Sequence, residues 1–171
     1  MSKKEGILQA SDYVHLHNHT QYSLLDGLTK IPKLIDFVKE DGMEAVAMTD
    51  HGTLSGAIDF YKTATANGIK PLVGIETYVA SRKHTQKDPQ KDKARFHLII
   101  IAMNTRGYEN LMKLSTEANL NGFYYFPRVD HDLLEKYNEG LIVLSACMGG
   151  EVSQAVKNGQ TKQAEEIAAW Y

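Results

Sequence analysis

Residues 31–52 read IPKLIDFVKEDGMEAVAMTDHG, and within them the spacing of apolar residues changes from that of a helix to that of a strand. Ile31, Leu34, Ile35 and Val38 recur at i, i+3, i+4 and i+7, which is one helix face, with Pro32 suited to the first turn and Gly42 to the stop. Ala45-Val46-Ala47 follow as a short apolar run, and Met48-Thr49-Asp50-His51-Gly52 as a polar turn. Helix, buried strand and polar turn at the strand's C-terminal end form one unit of an α/β fold.

Outward from this unit the same alternation continues. Strands are expected near 13–18, 45–49, 71–79, 96–102 and 141–146, and helices over 54–67, 106–119 and 161–171. Such alternation predicts a parallel sheet with crossover helices, wound as an α/β barrel. A closed eight-unit barrel takes about 250 residues, so 171 residues predict an incomplete one, cut near the helix at 161–171.

Two stretches break the rhythm. Residues 82–95, RKHTQKDPQKDKAR, hold six Lys/Arg and two Asp with no apolar period, which predicts a flexible loop in place of a helix. Its local charge of +4 suits a solvated surface and, second, a nucleic-acid contact. Residues 122–128, GFYYFPR, carry four aromatics in succession, a cluster that reads as core or interface before it reads as a base-stacking surface.

Composition narrows the function classes. With 43% hydrophobic and 23% charged residues, disorder, collagen and coiled coil are excluded. The formal net charge of −2, from 19 Lys+Arg against 21 Asp+Glu, gives no bulk attraction for a polyanion, so any nucleic-acid role must be local. A single cysteine makes no internal disulfide and fits a reducing cytoplasm. No apolar run approaches the roughly 20 residues needed to cross a bilayer, and residues 1–10 lack the apolar core of a signal peptide.

The chemistry concentrates in the histidines. His15, His17 and His19 alternate in the run HLHNH, and on a strand, residues two apart share a face at roughly 6.6 Å, close enough for two imidazoles to converge on one cation. Neutral imidazoles are good ligands for zinc, iron or manganese. His51, in Asp50-His51-Gly52 at the end of an expected strand, would face the same cavity. Glu76 places a carboxylate in a buried strand, where it is costly unless it bridges cations. Asp26 reads equally as a ligand and as part of an ordinary Asp-Gly turn. His97 could be a satisfied core histidine, and Cys147 a small buried hydrophobe or a thiolate ligand. This inventory, spread over several strand ends with no serine nucleophile motif, points to a multinuclear metal site and to metal-dependent phosphoester hydrolysis.

Three motifs make the match specific: HNHTQYS at 17–23, TDHG at 49–52 and GIE at 74–76 resemble the polymerase and histidinol phosphatase (PHP) family. HLHNHTQYSLLDG at 15–27, AMTDHG at 47–52, GIKPLVGIE at 68–76 and SACMGGE at 145–151 are similar to the subgroup found as the N-terminal domain of bacterial replicative DNA polymerases. The resemblance covers 12–171, leaving 1–11 as an N-terminal extension. It implies an α/β fold, a distorted (β/α)7 barrel, with about five strands here. It implies His17, His19, Asp26, His51, Glu76, His97 and Cys147 as metal ligands, with Glu76 bridging. His17, His19, His51 and Glu76 would carry catalysis, with His15 and Asp50 supporting the ligands. The implied cofactors are two to three divalent ions, zinc first, with manganese or iron admitted. The implied activity is a 3′ to 5′ exonuclease beside a DNA polymerase. The implied partners are DNA, the remaining polymerase domains and a separate proofreading subunit. The family's last ligand motif, Asp-x-His, does not follow Cys147 in this sequence, and the fragment alone is expected to be weak or inactive. A metal-stapled module without nuclease activity and a free-standing histidinol-phosphate phosphatase are the competing readings.

Overall fold

The computed structural model describes residue 9, residues 12–24 and residues 26–171, so the expected extension 1–11 lies, apart from Gln9, outside the described residues. The chain runs α1 (Ile31–Glu40), β1 (Ala45–Met48), α2 (Ala57–Ala66), β2 (Lys70–Ala80), β3 (Arg95–Ala102), α3 (Thr105–Leu120), β4 (Arg128–Val129), α4 (His131–Lys136), β5 (Leu141–Leu144), α5 (Glu151–Lys157) and α6 (Thr161–Trp170). Among the described residues, five strands form one sheet in the order β1-β2-β3-β5, with β4 also beside β2. No helix among them is long and apolar enough to cross a membrane.

The helix and strand of 31–52 form where their periodicity places them. Ile31, Leu34, Ile35 and Val38 are all buried in α1, packed with Val46, Met48 and Phe60, and Gly42 ends the helix at φ +73°, a conformation that costs glycine nothing. α2 begins at Ala57, later than 54, because Thr53 Oγ1 accepts from the Ser55 N–H at 3.1 Å and holds a turn there.

Three expectations need correction. The sheet is mixed, not parallel: β1 and β4 run parallel to β2, whereas β3 is antiparallel to both β2 and β5. Residues between β2 and β3 form no helix, and without a crossover helix the chain returns beside the strand it has left. Residues 13–18 form no strand. They lie extended along β1, tied by Ala47 N–H to His15 O at 2.8 Å and Thr49 N–H to Asn18 O at 2.9 Å. The Asn18 amide fills in for the ladder, donating to His15 O and Ala47 O at 3.1 Å. The third correction concerns the loop of 82–95, which is built around two buried groups. Asp92 takes both Arg82 Nε and Nη2, at 2.8 and 2.7 Å. Arg128, only 1% exposed, donates to the carbonyls of Gly122, Asp92, His84 and Gln86 at 2.8–3.1 Å, so that the loop is pinned through its backbone.

The sheet separates core from site. Ile75, Val79, Leu98 and Ile100 pack with Leu111, Leu114 and Ala118 of α3. The alternate residues point the other way: Ile99 and Ile101 meet Ala47, and on that face Glu76 lies opposite Ile99 and Tyr78 opposite His97. Successive strand side chains alternate between faces, so one register puts a hydrophobic layer under α3 and the ionisable residues on the reverse.

Candidate metal centre

Glu76 is the centre of the constellation. It is 1% exposed, and its Oε2 lies 2.7 Å from His17 Nε2, 2.6 Å from His19 Nε2 and 3.6 Å from His51 Nδ1. Its Oε1 lies 2.6 Å from His97 Nδ1. Asp26 closes the other side, with Oδ2 at 3.1 Å from His19 Nδ1 and 3.0 Å from His51 Nε2. The potential ligand atoms form three overlapping groups, His17/His19/Glu76, His19/Asp26/His51 and His51/Glu76/His97, each within 4.8 Å.

Different local devices deliver each side chain. The segment carrying His17 and His19 is hung on β1 through Asn18. Asp50, fully buried, receives the Thr20 N–H at 2.5 Å and the Thr20 hydroxyl at 2.7 Å, fixing the residue next to His19. Asp50 therefore supports the cluster through Thr20 and touches no imidazole in it. Ser23 donates to Asp26 Oδ1 at 2.7 Å and accepts the His51 N–H at 3.1 Å. Gly52 turns the chain at φ +64°, and its N–H donates to the Glu76 carbonyl at 2.9 Å, keeping His51 against β2.

His97 stands near the start of β3, which for parallel strands would be the wrong end of the sheet. Because β3 is antiparallel to β2, its beginning lies beside the end of β2 where Glu76 and Tyr78 project. Cys147 stands at the edge: its Sγ is 3.7 Å from His97 Nδ1 and accepts the Gly149 N–H at 3.3 Å, but it is exposed and belongs to none of the three groups. Ala146 before it has φ +60°, a strained conformation for a residue with a Cβ, which turns the thiol toward His97. His15 lies beside the cluster and supports it through its backbone. Its ring packs against Tyr13 and Phe37, at 4.9 and 6.3 Å between centroids, so its contribution is the backbone carbonyl that anchors Asn18.

The electrostatics follow from crowding four imidazoles around one carboxylate. Burial works to raise the Glu76 carboxyl, but hydrogen bonds from His19, His97 and His17 and the charge of His51 hold it far below the usual carboxylate range. The bond to Glu76 raises His19 against its burial. His51 moves the other way, lowered chiefly by burial, and its Nδ1 is buried without a hydrogen-bond partner. A buried, ionised carboxylate, neutral imidazole character at His51 and an unused ring nitrogen facing Glu76 are the donor set that a divalent cation takes up.

Sequence reasoning missed Tyr78, Arg95 and Arg128. Tyr78 stacks on His51 at 5.7 Å with 7° between planes and meets His97 edge-on. The signal was available, since Tyr78 follows Glu76 by two, and Arg95 precedes His97 by two, in strands whose alternation fixes the face. The remaining histidines lie elsewhere: His84 pairs with Asp130 at 2.6 Å and His131 with Glu151 at 2.9 Å.

The chain matches the PHP domain family over residues 15–171. It is 46% identical over 171 residues to the DNA polymerase III subunit alpha of Campylobacter jejuni, covering 94% of this chain and 14% of that protein. To the same subunit of Aquifex aeolicus it is 49% identical over 163 residues, covering 92% of this chain and again 14% of the relative. The chain thus spans a small part of the length of the curated relatives it matches. Among solved structures, an amidohydrolase from Chromobacterium violaceum with bound sulfate is 20% identical with a TM-score of 0.42, over 61% of this chain and 34% of that one.

Proposed function

The chain belongs to the PHP domain family, and from that premise we propose that the cluster around Glu76 is a metal-dependent phosphodiesterase centre acting on the 3′ end of DNA within a replicative polymerase. The observation that carries this reading is the single buried carboxylate of Glu76 with four imidazoles gathered on it. The site takes two to three divalent ions, zinc before manganese or iron, because imidazole, carboxylate and thiol donors are mixed. His17, His19 and Glu76 would hold one, His19, Asp26 and His51 another, and His51, Glu76 and His97 a third, with Cys147 beside the last. Bound divalent ions supply Lewis-acid activation of water and neutralise charge on the phosphate oxygens.

The chain's own residues do the rest. Glu76 spans the groups, one oxygen toward His17 and His19, the other toward His97. Asp50, Ser23 and Asn18 keep the ligand-bearing segments in place before substrate arrives, which is the positional precision such catalysis needs. The Tyr78 ring against His51 excludes water from one side. In this reading DNA and the remaining polymerase domains are partners, a proofreading subunit is a further one, and the setting is the cytoplasm.

The test is hydrolysis of a 3′-labelled primer by the full-length protein with zinc or manganese, wild type against His17→Ala combined with His19→Ala. A loss of at least about a hundredfold is expected, since mutating even the groups that only support metal ligands typically costs about 10- to 100-fold. Equal rates would overturn the hydrolytic reading. A second reading has its own support: the ligands come from well-separated segments, at 17–19, 26, 51, 76 and 97, so a metal would also staple the fold. On that reading ligand removal lowers the melting temperature and polymerase activity together, with no nuclease activity to lose. Turnover of a small phosphate ester but not of DNA would favour a free-standing phosphatase.

A further inference from the structure

Beside the centre lies a cation that has no ion-pair partner among the described residues. Arg95 opens β3, two residues before His97, and the period of two places both on the site face, roughly 6.6 Å apart along the strand. Its guanidinium carbon sits 3.6 Å from the Phe126 ring centroid and 5.5 Å from that of Tyr78. Tyr78 and Phe126 pack on each other at 4.9 Å. The aromatic surface is therefore continuous from His51 through Tyr78 to Phe126, with Arg95 laid on its outer end. Arg95 Nε is buried without an acceptor, and among the described residues its guanidinium lies against the two rings and not against a carboxylate. Every other arginine in the neighbourhood is committed: Arg82 to Asp92 and Arg128 to four carbonyls.

We propose that Arg95 is the phosphate-binding group that fits this site to the end of a single-stranded polynucleotide and not to a small phosphate ester. The proposal rests on the hydrolytic reading for the site itself and adds the residue that selects a polynucleotide over a small ester. Arginine stacked on an aromatic ring keeps its plane fixed and its fork of donors free, the geometry that takes phosphate oxygens in pairs. The position matters as much as the charge. Arg95 is one strand repeat beyond the ligand His97, so a phosphate at the metal groups and a phosphate on Arg95 are separate phosphates of one strand. A single phosphate ester has no second one to offer. Next to Phe126, Phe123 is 50% and Tyr125 65% exposed, and Tyr125 is held at φ +60°. Aromatic faces displayed at such cost to the backbone suit stacking by bases, which any sequence can supply.

The experiment compares wild type, Arg95→Met and Arg95→Lys in the full-length protein. Binding of a dye-labelled tetrathymidylate with phosphorothioate linkages, which resist cleavage, is followed by anisotropy across a salt series. Hydrolysis is followed on a 3′-labelled oligonucleotide and on p-nitrophenyl phosphate. Arg95→Met is expected to weaken oligonucleotide binding about tenfold and to reduce the salt slope by about 0.7, the value for one phosphate contact on a single strand. It should raise the oligonucleotide KM by a similar factor with kcat within about twofold, and leave the small ester unaffected. Arg95→Lys should keep the salt slope while recovering only part of the affinity, since lysine has the charge without the plane. An Arg95→Met protein with wild-type binding and salt slope, or with equal losses on both substrates, would overturn the proposal while leaving the hydrolytic reading in place. If wild type cleaves neither substrate, the hydrolytic reading fails, and the salt slope still decides whether Arg95 holds a polynucleotide.

Discussion

Two histidine–carboxylate arrangements in this molecule look alike in sequence and differ in stoichiometry. Asp130 faces one histidine. Its Oδ2 takes the His84 ring at 2.6 Å and the His84 N–H at 2.8 Å, and its Oδ1 caps α4 through the Leu133 N–H at 3.0 Å. Every oxygen has its donors, and burial is offset by those bonds in holding the carboxyl below its ordinary range. Glu76 faces four histidines. Its oxygens hydrogen-bond three of these rings, and His51 Nδ1 is left over. A paired group completes itself and serves the fold. An excess of lone pairs around a buried negative charge is complete only with cations added.

Breaking each centre should therefore give opposite profiles. Glu76→Gln keeps the shape and removes the charge, and it is expected to lower bound metal, measured by elemental analysis of the full-length protein, and hydrolysis of a 3′-labelled primer by at least about a hundredfold. Metal content equal to wild type would show that Glu76 is not the hub. Asp130→Ala should leave metal content unchanged. Its expected cost is stability, about 1–2 kcal/mol from the lost helix cap, read by hydrogen exchange in α4. A loss of metal in Asp130→Ala would erase the distinction between the two sites.

How much of this was legible in the sequence depended on whether the signal was local. The apolar period of 31–38 survives into the structure because burial on one face is what it encodes, and the unbroken apolar run of Leu98 to Ile101 survives because that strand is buried on both faces. The His15, His17 and His19 alternation pointed correctly to a shared direction for His17 and His19, but the extended segment that carries them is held by the Asn18 side chain and not by a ladder. β4, with two residues, has no period to detect. The antiparallel return of β3 is implicit in the loop of 82–95, since without a crossover helix the chain returns beside the strand it has left, but no local apolar period encodes that direction. That step alone explains why His97, at the start of a strand, reaches Glu76. Arg128 was illegible for a different reason: its role is set by four carbonyls from residues up to 44 positions away, and no local pattern marks such a convergence.

A third pair gives the smallest effect and the finest discrimination. His131 Nε2 lies 2.9 Å from Glu151 Oε2, which also accepts the Tyr171 hydroxyl at 2.8 Å, and the His131 ring stacks on Trp170 at 4.2 Å, tying α4 to α5 and α6. The bond to Glu151 raises His131 above its ordinary 6.5 despite burial, so its contribution is complete below about 6.5 and fades as pH rises through the raised value. Burial would raise Glu151 above its ordinary 4.5, but the bonds from His131 and Tyr171 lower it, so that contribution is complete above about 4.5 and fades as pH falls through the lowered value. The pair is therefore worth most between the two, and with His131 40% exposed it is worth less than about 1 kcal/mol. His131→Gln should speed hydrogen exchange in α5 and α6 relative to wild type at pH 5.5, with the ratio approaching one at pH 9. A ratio independent of pH would mean that stacking on Trp170, and not the charge, joins these helices, and the pair would then differ from both Glu76 and Asp130 in carrying no electrostatic work at all.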